Sequence, residues 1–256
     1  MKVLIGDTGL IGTTLKEKIN FNFTFNSKNI NEFKKLNIEN KIDLYLACLP
    51  ATKWIVNKNL QQDINNINLI IENIKDIKYN KVILFSTIDV YSETKLLSNE
   101  DDIINFNKLS YGSNRYLFEV FIKSLLTFNE LKIFRLPALF SKNIKKNILY
   151  DLINNNNVYD INKNSYYQWY NLENLIYDIN YYIKNYKNEM VYNLFTEPIK
   201  TDDIINLFPL YDKKKFKYLE PINYCYKTKF NSTGFIENKE NILKQIKLLI
   251  NEISNK

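Results

Sequence analysis

Glycine is scarce in this chain, five residues in 256, and three of the five stand at positions 6, 9 and 12. The apolar run Val3 to Ile5 leads directly into Gly6-Asp7-Thr8-Gly9-Leu10-Ile11-Gly12, and a helical stretch follows from about Leu10. Glycines at that spacing permit a tight turn, let the backbone approach a phosphate, and let a helix pack closely on a strand. The helix start offers unpaired N–H groups and a partial positive charge, which suits a pyrophosphate. Dinucleotide binding through Gly6, Thr8, Gly9, Leu10, Ile11 and Gly12 is therefore the expected chemistry of this end. The second strand closes in Phe25-Asn26-Ser27-Lys28, where a site for NAD ordinarily carries a carboxylate for the ribose hydroxyls. No carboxylate stands there. Asn26 and Ser27 can hydrogen-bond a ribose or a phosphate, and Lys28 can neutralise a 2′-phosphate, so NADP is the expected cofactor, with NAD the alternative.

Other chemistry is excluded by the residues that are missing. The chain has no histidine, and its two cysteines, Cys48 and Cys225, lie far apart without metal-ligand spacing. A Ser-His triad is ruled out, and neither a metal site nor a disulfide framework is expected. The net charge of +7 is mostly scattered. Its dense part is Lys213, Lys214, Lys215 and Lys217, followed by Lys227 and Lys229. With few arginines to read bases, these residues suit a solvated face or an anionic-substrate lobe better than nucleic acid. No apolar run approaches the roughly 18 to 20 residues of a membrane span. The N-terminus lacks a secretion signal's layout, and a cytoplasmic address is expected.

These residues must be held by elements that alternate between strand and helix, the pattern of a parallel sheet with crossover helices. Strands are expected at Val3 to Ile5, Phe21 to Phe25, Leu44 to Ala47, Val82 to Phe85, Ile133 to Arg135 and Val191 to Leu194. Leu60, Ile64, Ile67, Ile71 and Ile74 recur at helical spacing, and so do Ile242, Ile246, Leu249 and Ile253. Between Phe140 and Tyr170, and again from Thr196 to Phe235, the periodicity weakens and a small substrate lobe is expected; Asn154 to Asn157 reads as a loop. The expected fold is α/β, a Rossmann-type doubly wound parallel sheet with a small C-terminal lobe. Residues 1–140 would form the dinucleotide-binding domain. Residues 141–256 would hold the lobe, plus the last strand and helices returning to the body.

Five segments in order carry a family likeness. They are the glycine turn, Ser86-Thr87-Ile88-Asp89-Val90-Tyr91, Tyr111-Gly112-Ser113-Asn114-Arg115, Arg135-Leu136-Pro137 and Val191-Tyr192-Asn193-Leu194. In them the chain resembles an atypical branch of the extended short-chain dehydrogenase/reductases, the NAD-dependent epimerase/dehydratase family. The resemblance implies a reductase or epimerase acting on a carbonyl or hydroxyl of a sugar, most often nucleotide-linked. It implies Thr87, Tyr111 and Arg115 as the catalytic residues, Pro137 beside the cofactor, and a homodimer through the helices near Leu60 to Ile77 and Tyr111 to Phe128. In the family scheme the tyrosine moves a proton to or from the substrate oxygen that Thr87 also holds. A free tyrosine titrates near 10, so a nearby cation is expected to favour its phenolate.

Two departures qualify the likeness. Arg115 stands where the family has lysine, and its planar guanidinium is a different donor array. A dinucleotide-binding sensor without turnover is therefore the alternative. At Tyr166-Tyr167-Gln168-Trp169-Tyr170, Tyr167 or Gln168 replaces the arginine that holds a substrate diphosphate in many nucleotide-sugar enzymes. Lys145, Lys146 or Lys215 would have to serve instead.

Overall fold

A computed structural model describes residues 1–36 and 42–254. In chain order the elements are β1 (Lys2–Ile5), α1 (Leu10–Lys18), β2 (Phe23–Phe25), β3 (Ile42–Leu46), α2 (Lys53–Lys58), α3 (Leu60–Ile74), β4 (Lys78–Thr87), α4 (Tyr111–Leu125), β5 (Thr127–Leu136), β6 (Ala138–Phe140), α5 (Ile148–Ile153), β7 (Tyr166–Tyr167), β8 (Trp169–Asn171), α6 (Leu175–Asn185), β9 (Val191–Asn193), β10 (Ile199–Lys200), α7 (Thr201–Ile205) and α8 (Lys239–Ser254). A six-stranded sheet runs in the order β2-β1-β3-β4-β5-β9. The pairs β1 with β2, β1 with β3 and β3 with β4 are parallel. Val3, Leu4 and Ile5 are buried, as are Leu44, Leu46, Val82 and Leu84. Burial on both faces makes such strands continuous apolar runs, which is why they could be read from the sequence.

The chain divides into two compact units, the first formed by residues 1–94, 103–135 and 176–192 and the second by 95–102, 136–175 and 193–256. The second therefore takes in two stretches expected in the dinucleotide-binding domain, and the first takes back residues 176–192. Within the second unit, β6 pairs in parallel with β8 and β7 antiparallel with β10. The helix α8 belongs here too: Asn171 Nδ2 donates to Gln245 Oε1 at 2.9 Å. Glu100 ties this unit together by accepting the Asn193 N–H at 2.7 Å and, at 2.8 Å each, the Thr228 hydroxyl and the Lys229 N–H.

In the first unit, β4 and β5 extend well beyond the apolar cores predicted for them, to Lys78–Thr87 and Thr127–Leu136. Their early halves are polar, and Lys81 pairs with Glu130 at 2.8 Å. Backbone pairing continues there without an apolar signal. The helix α3 starts at a side-chain cap, Asn59 Oδ1 accepting the Gln62 N–H, and it buries Ile67, Ile71 and Ile74 of the predicted stripe together with Ile70, while Leu60 and Ile64 are only half-buried. On the same buried side it also holds Asp63.

Candidate functional site

The strand-turn-helix at the N-terminus forms as expected. Gly6 has φ +100°, and a Cβ there would lie 2.1 Å from the Ala47 carbonyl oxygen. A Cβ on Gly12 would lie 2.0 Å from the Gly6 oxygen, so Gly12 is required by the packing of α1 on the turn and Gly6 by the packing of the turn against the end of β3. Gly9 is different. It caps α1 in an ordinary extended conformation, φ −74° and ψ 167°, with no side-chain cap on the helix. A Cβ there would meet nothing nearer than the Gly6 oxygen at 3.6 Å. The fold tolerates a side chain at position 9. Glycine is a favoured helix N-cap, and without a side chain it also leaves the exposed helix start open to a group arriving from outside. The backbone of this turn thus fits a phosphate.

Asp7 organises the neighbouring end of β2. Its carboxylate accepts from Asn26 Nδ2 at 3.0 Å and from Thr24 Oγ1 and Lys16 Nζ at 3.2 Å each. Burial opposes the charge, but these hydrogen bonds outweigh it and hold the Asp7 carboxyl below its ordinary range. The Asn26 Oδ1 accepts the Lys28 N–H at 3.0 Å. Asn26 is thereby committed to the turn, whereas Ser27 and Lys28 present exposed side chains.

At the other candidate centre, α4 begins with a capping box: Ser110 Oγ accepts the Ser113 N–H and Ser113 Oγ accepts the Ser110 N–H. This places Tyr111 first on the helix, and its N–H donates to Asn57 Oδ1 at 2.8 Å. Gly112 lets the helix seat on the turn after β4, since a Cβ would stand 2.1 Å from the Asp89 oxygen. Thr87 ends β4. Its Oγ1 accepts the Asp89 N–H at 3.2 Å and lies 3.4 Å from Asp89 Oδ2. Asp89 in turn pairs with Lys53 of α2 at 2.5 Å.

Tyr111 and Arg115 share one helix face, with the guanidinium carbon 4.4 Å from the ring centroid. The expected cation is beside the phenol and acts in favour of the phenolate, but burial outweighs it. Arg115 Nη1 donates to Asp63 Oδ2 at 2.7 Å and Nη2 to Asp63 Oδ1 at 3.0 Å, while Nη2 also donates to the Pro50 oxygen at 2.7 Å. Its charge is matched inside the protein. Burial pushes the Tyr111 phenol above its ordinary value, Arg115 pulls it back only in part, and Asp89 and Asp63 push it further up.

No family model matches the chain, nor does any curated protein. Solved structures do. A dTDP-4-dehydrorhamnose reductase from Yersinia enterocolitica superposes with a TM-score of 0.70 at 15% identity, over 97% of this chain and 99% of that one. A UDP-glucuronic acid 4-epimerase from Bacillus cereus, solved with a fluorinated UDP-sugar and NAD, gives 0.71 at 18% identity, over 99% and 100%. A dTDP-4-dehydrorhamnose reductase from Bacillus anthracis, solved with NADP, gives 0.69 at 15%, over 96% and 98%. The chain shares the fold of these two reductases and this epimerase.

Within that fold, several residues around Tyr111 and the end of β4 escaped sequence reasoning: Lys53, Asn57, Asp63 and Asp89, and, further along α4, Glu119. The clearest available signal was a charged residue interrupting an apolar helical stripe, Asp63 four before Ile67 and Glu119 four after Arg115. Glu119 is fully buried and pairs with Arg135, whose Nε and Nη2 donate to it at 3.0 and 2.7 Å. The Ser86 hydroxyl also donates to Glu119, at 2.6 Å, and Arg135 Nη1 donates to the Tyr91 hydroxyl at 2.5 Å. In the second unit, Pro137 stands between β5 and β6. Gln168 is not available to a diphosphate: Nε2 donates to the Thr196 and Tyr226 oxygens and Oε1 accepts the Tyr226 N–H. Tyr167 stacks on Tyr224 with ring centroids 5.6 Å apart. Lys145, Lys146 and Lys215 are exposed.

Proposed function

We propose that this protein is an NADP-using oxidoreductase or epimerase, with NAD as a second cofactor, acting on a carbonyl or hydroxyl of a nucleotide-linked sugar in the cytoplasm. The observation that carries the dinucleotide reading is Gly9, a glycine that the protein's own packing does not require. The turn from Gly6 through Thr8, Leu10 and Ile11 to Gly12 would hold the pyrophosphate, Ser27 and Lys28 the adenosine ribose and its phosphate, with Asn26 shaping their loop and Pro137 near the nicotinamide end. When bound, the nicotinamide supplies or accepts a hydride. Tyr111 gives a proton to the substrate oxygen, or takes one from it, and the Thr87 hydroxyl holds that same oxygen. Proteins of this fold solved with NADP, NAD and a UDP-sugar support the choice of ligands.

A second reading, a dinucleotide sensor without turnover, is favoured by one specific observation: the guanidinium in the lysine's place is tied to Asp63. Hydride exchange with a panel of sugar nucleotides separates the two, since the sensor binds cofactor and exchanges nothing.

Cofactor binding has its own test. Because Gly9 has ordinary backbone angles and room for a methyl group, Gly9→Ala should melt like the wild type while NADP affinity by calorimetry falls roughly tenfold or more, about 1.4 kcal/mol. In the same titrations Lys28→Glu should weaken NADP relative to NAD. NADP bound equally well by Gly9→Ala would remove the turn from the site.

The reading also includes a homodimer through α3 and α4, on which Leu69, Val120 and Leu125 remain 43%, 38% and 47% exposed. Light scattering at micromolar concentration should give twice the chain mass of 30.6 kDa, and a monomer would contradict it. No helix among the described residues is long and apolar enough to cross a membrane.

A further inference from the structure

Asp63 is a buried carboxylate on the packed side of α3, where the apolar stripe of the helix would accommodate a leucine. Burying an ion pair is seldom a gain over well-packed apolar side chains, so its presence calls for a specific role. Asp63 accepts three hydrogen bonds: two from Arg115, and one from Asn114 Nδ2 at 2.9 Å. A two-point contact with a carboxylate fixes the plane of a guanidinium as well as its position. The Pro50 oxygen adds a third point to the same group. The plane so fixed lies over the Tyr111 ring.

We propose that Asp63 is a positioning residue for the reaction: it holds the Arg115 guanidinium over Tyr111 and offsets part of the guanidinium's charge at the phenol. This deepens the reading of Tyr111 as the proton-transfer group and rests on it for its effect on turnover. The charged groups facing Tyr111 are Arg115 on its own helix, Asp63 on α3, and Asp89 on the turn after β4 with its partner Lys53 from α2. At the phenol Arg115 outweighs Asp63, which offsets it only in part, while burial and the Asp89 carboxylate act against Arg115. Burial and the two carboxylates together keep the proton on the phenol.

The experiment titrates Tyr111 directly. The full-length protein carries tyrosine labelled with 13C at Cζ, and among the 19 tyrosine signals that of Tyr111 is the one missing from Tyr111→Phe. In the wild type it should remain a phenol signal past pH ~10. Asp63→Asn keeps the size and one acceptor oxygen while releasing the guanidinium's charge, so Tyr111 should ionise at a pH lower by roughly one unit or more. An unchanged or raised ionisation would overturn the proposal. Since a buried unpaired arginine destabilises a fold, a second variant keeps the test decisive. Asp63→Asn with Arg115→Gln removes both charges and retains hydrogen-bonding groups, so Tyr111 should ionise at a higher pH than in Asp63→Asn. An ionisation as low as in Asp63→Asn means that the released guanidinium is not what draws the phenol down, and the proposal fails. A merely structural tie between α3 and α4 predicts no downward shift in Asp63→Asn. Turnover is scored separately: if Tyr111→Phe remains fully active while the titration behaves as described, the functional reading falls and the role of Asp63 in the pair stands.

Discussion

Tyr111→Phe should fold, bind NADP and lose turnover by a factor on the order of 10² to 10⁴, the usual contribution of a positioned acid or base. The substitution removes one hydroxyl and leaves the rest of the local structure in place. The aromatic ring remains beneath the guanidinium at 4.4 Å, and the backbone N–H still donates to Asn57. Steady-state nicotinamide absorbance with an identified sugar nucleotide measures the loss, and thermal melting with and without NADP checks that binding survives. Burial raises the phenol above its ordinary value, so the proton is held throughout the neutral range. Proton donation, the reductive direction, should therefore be flat with pH across neutrality and fall only as pH climbs through the raised phenol value. The oxidative direction, which needs the phenolate, should increase with pH over the same span. Turnover equal to wild type in Tyr111→Phe, or a reductive rate that falls below pH 8, would remove Tyr111 from the proton path.

The parts of this protein that sequence reasoning could reach are those fixed by local rules. The glycine turn is legible because its three glycines lie within seven residues of one another, directly after an apolar strand, although the contact that demands Gly6 comes from Ala47 at the end of β3. The inner strands are legible because both their faces are buried. The outer halves of β4 and β5 are not, because a strand whose side chains are half exposed carries no apolar signature while its backbone pairs all the same. The two units were equally hidden. Residues 95–102 join the second unit through Glu100, a carboxylate holding backbone more than ninety residues away in sequence. Such contacts leave no periodic trace. At the candidate centre, the motif gave the positions of Thr87, Tyr111 and Arg115 but not the balance of charge among them. Four-residue spacing put the arginine beside the tyrosine, and it could not say that a carboxylate 52 residues earlier would claim the guanidinium. That partner also changes the meaning of a lysine at position 115. One ammonium cannot reproduce the two-point contact with Asp63 and the contact with the Pro50 oxygen, so a lysine at this position would break local structure.

The same physics predicts the largest loss of stability, at Glu119 and Arg135. Both side chains are withdrawn from water, at 0% and 3% exposure, and they meet through two parallel hydrogen bonds. Ser86 and Tyr91 complete the arrangement from either side of Thr87, so the pair also fixes the end of β4 on which Thr87 stands. Glu119→Ala would leave a guanidinium in the interior without its counter-charge, and breaking a buried pair in this way costs about 3 to 5 kcal/mol. Against a total stability of roughly 5 to 15 kcal/mol for a folded protein, that is a large share. Urea unfolding followed by circular dichroism should register it as an earlier midpoint with an unchanged slope. Removing both charges at once is a different matter. Glu119→Leu with Arg135→Met fills similar volume and strands no charge, so the double variant should be more stable than Glu119→Ala, by about 1 kcal/mol or more. Its activity should still fall, because Ser86 and Tyr91 lose the partners that hold the two sides of Thr87. A Glu119→Ala protein within about 1 kcal/mol of wild type, or a double variant less stable than the single one, would mean that the pair is solvated in solution and does not pin the strand end that positions Thr87.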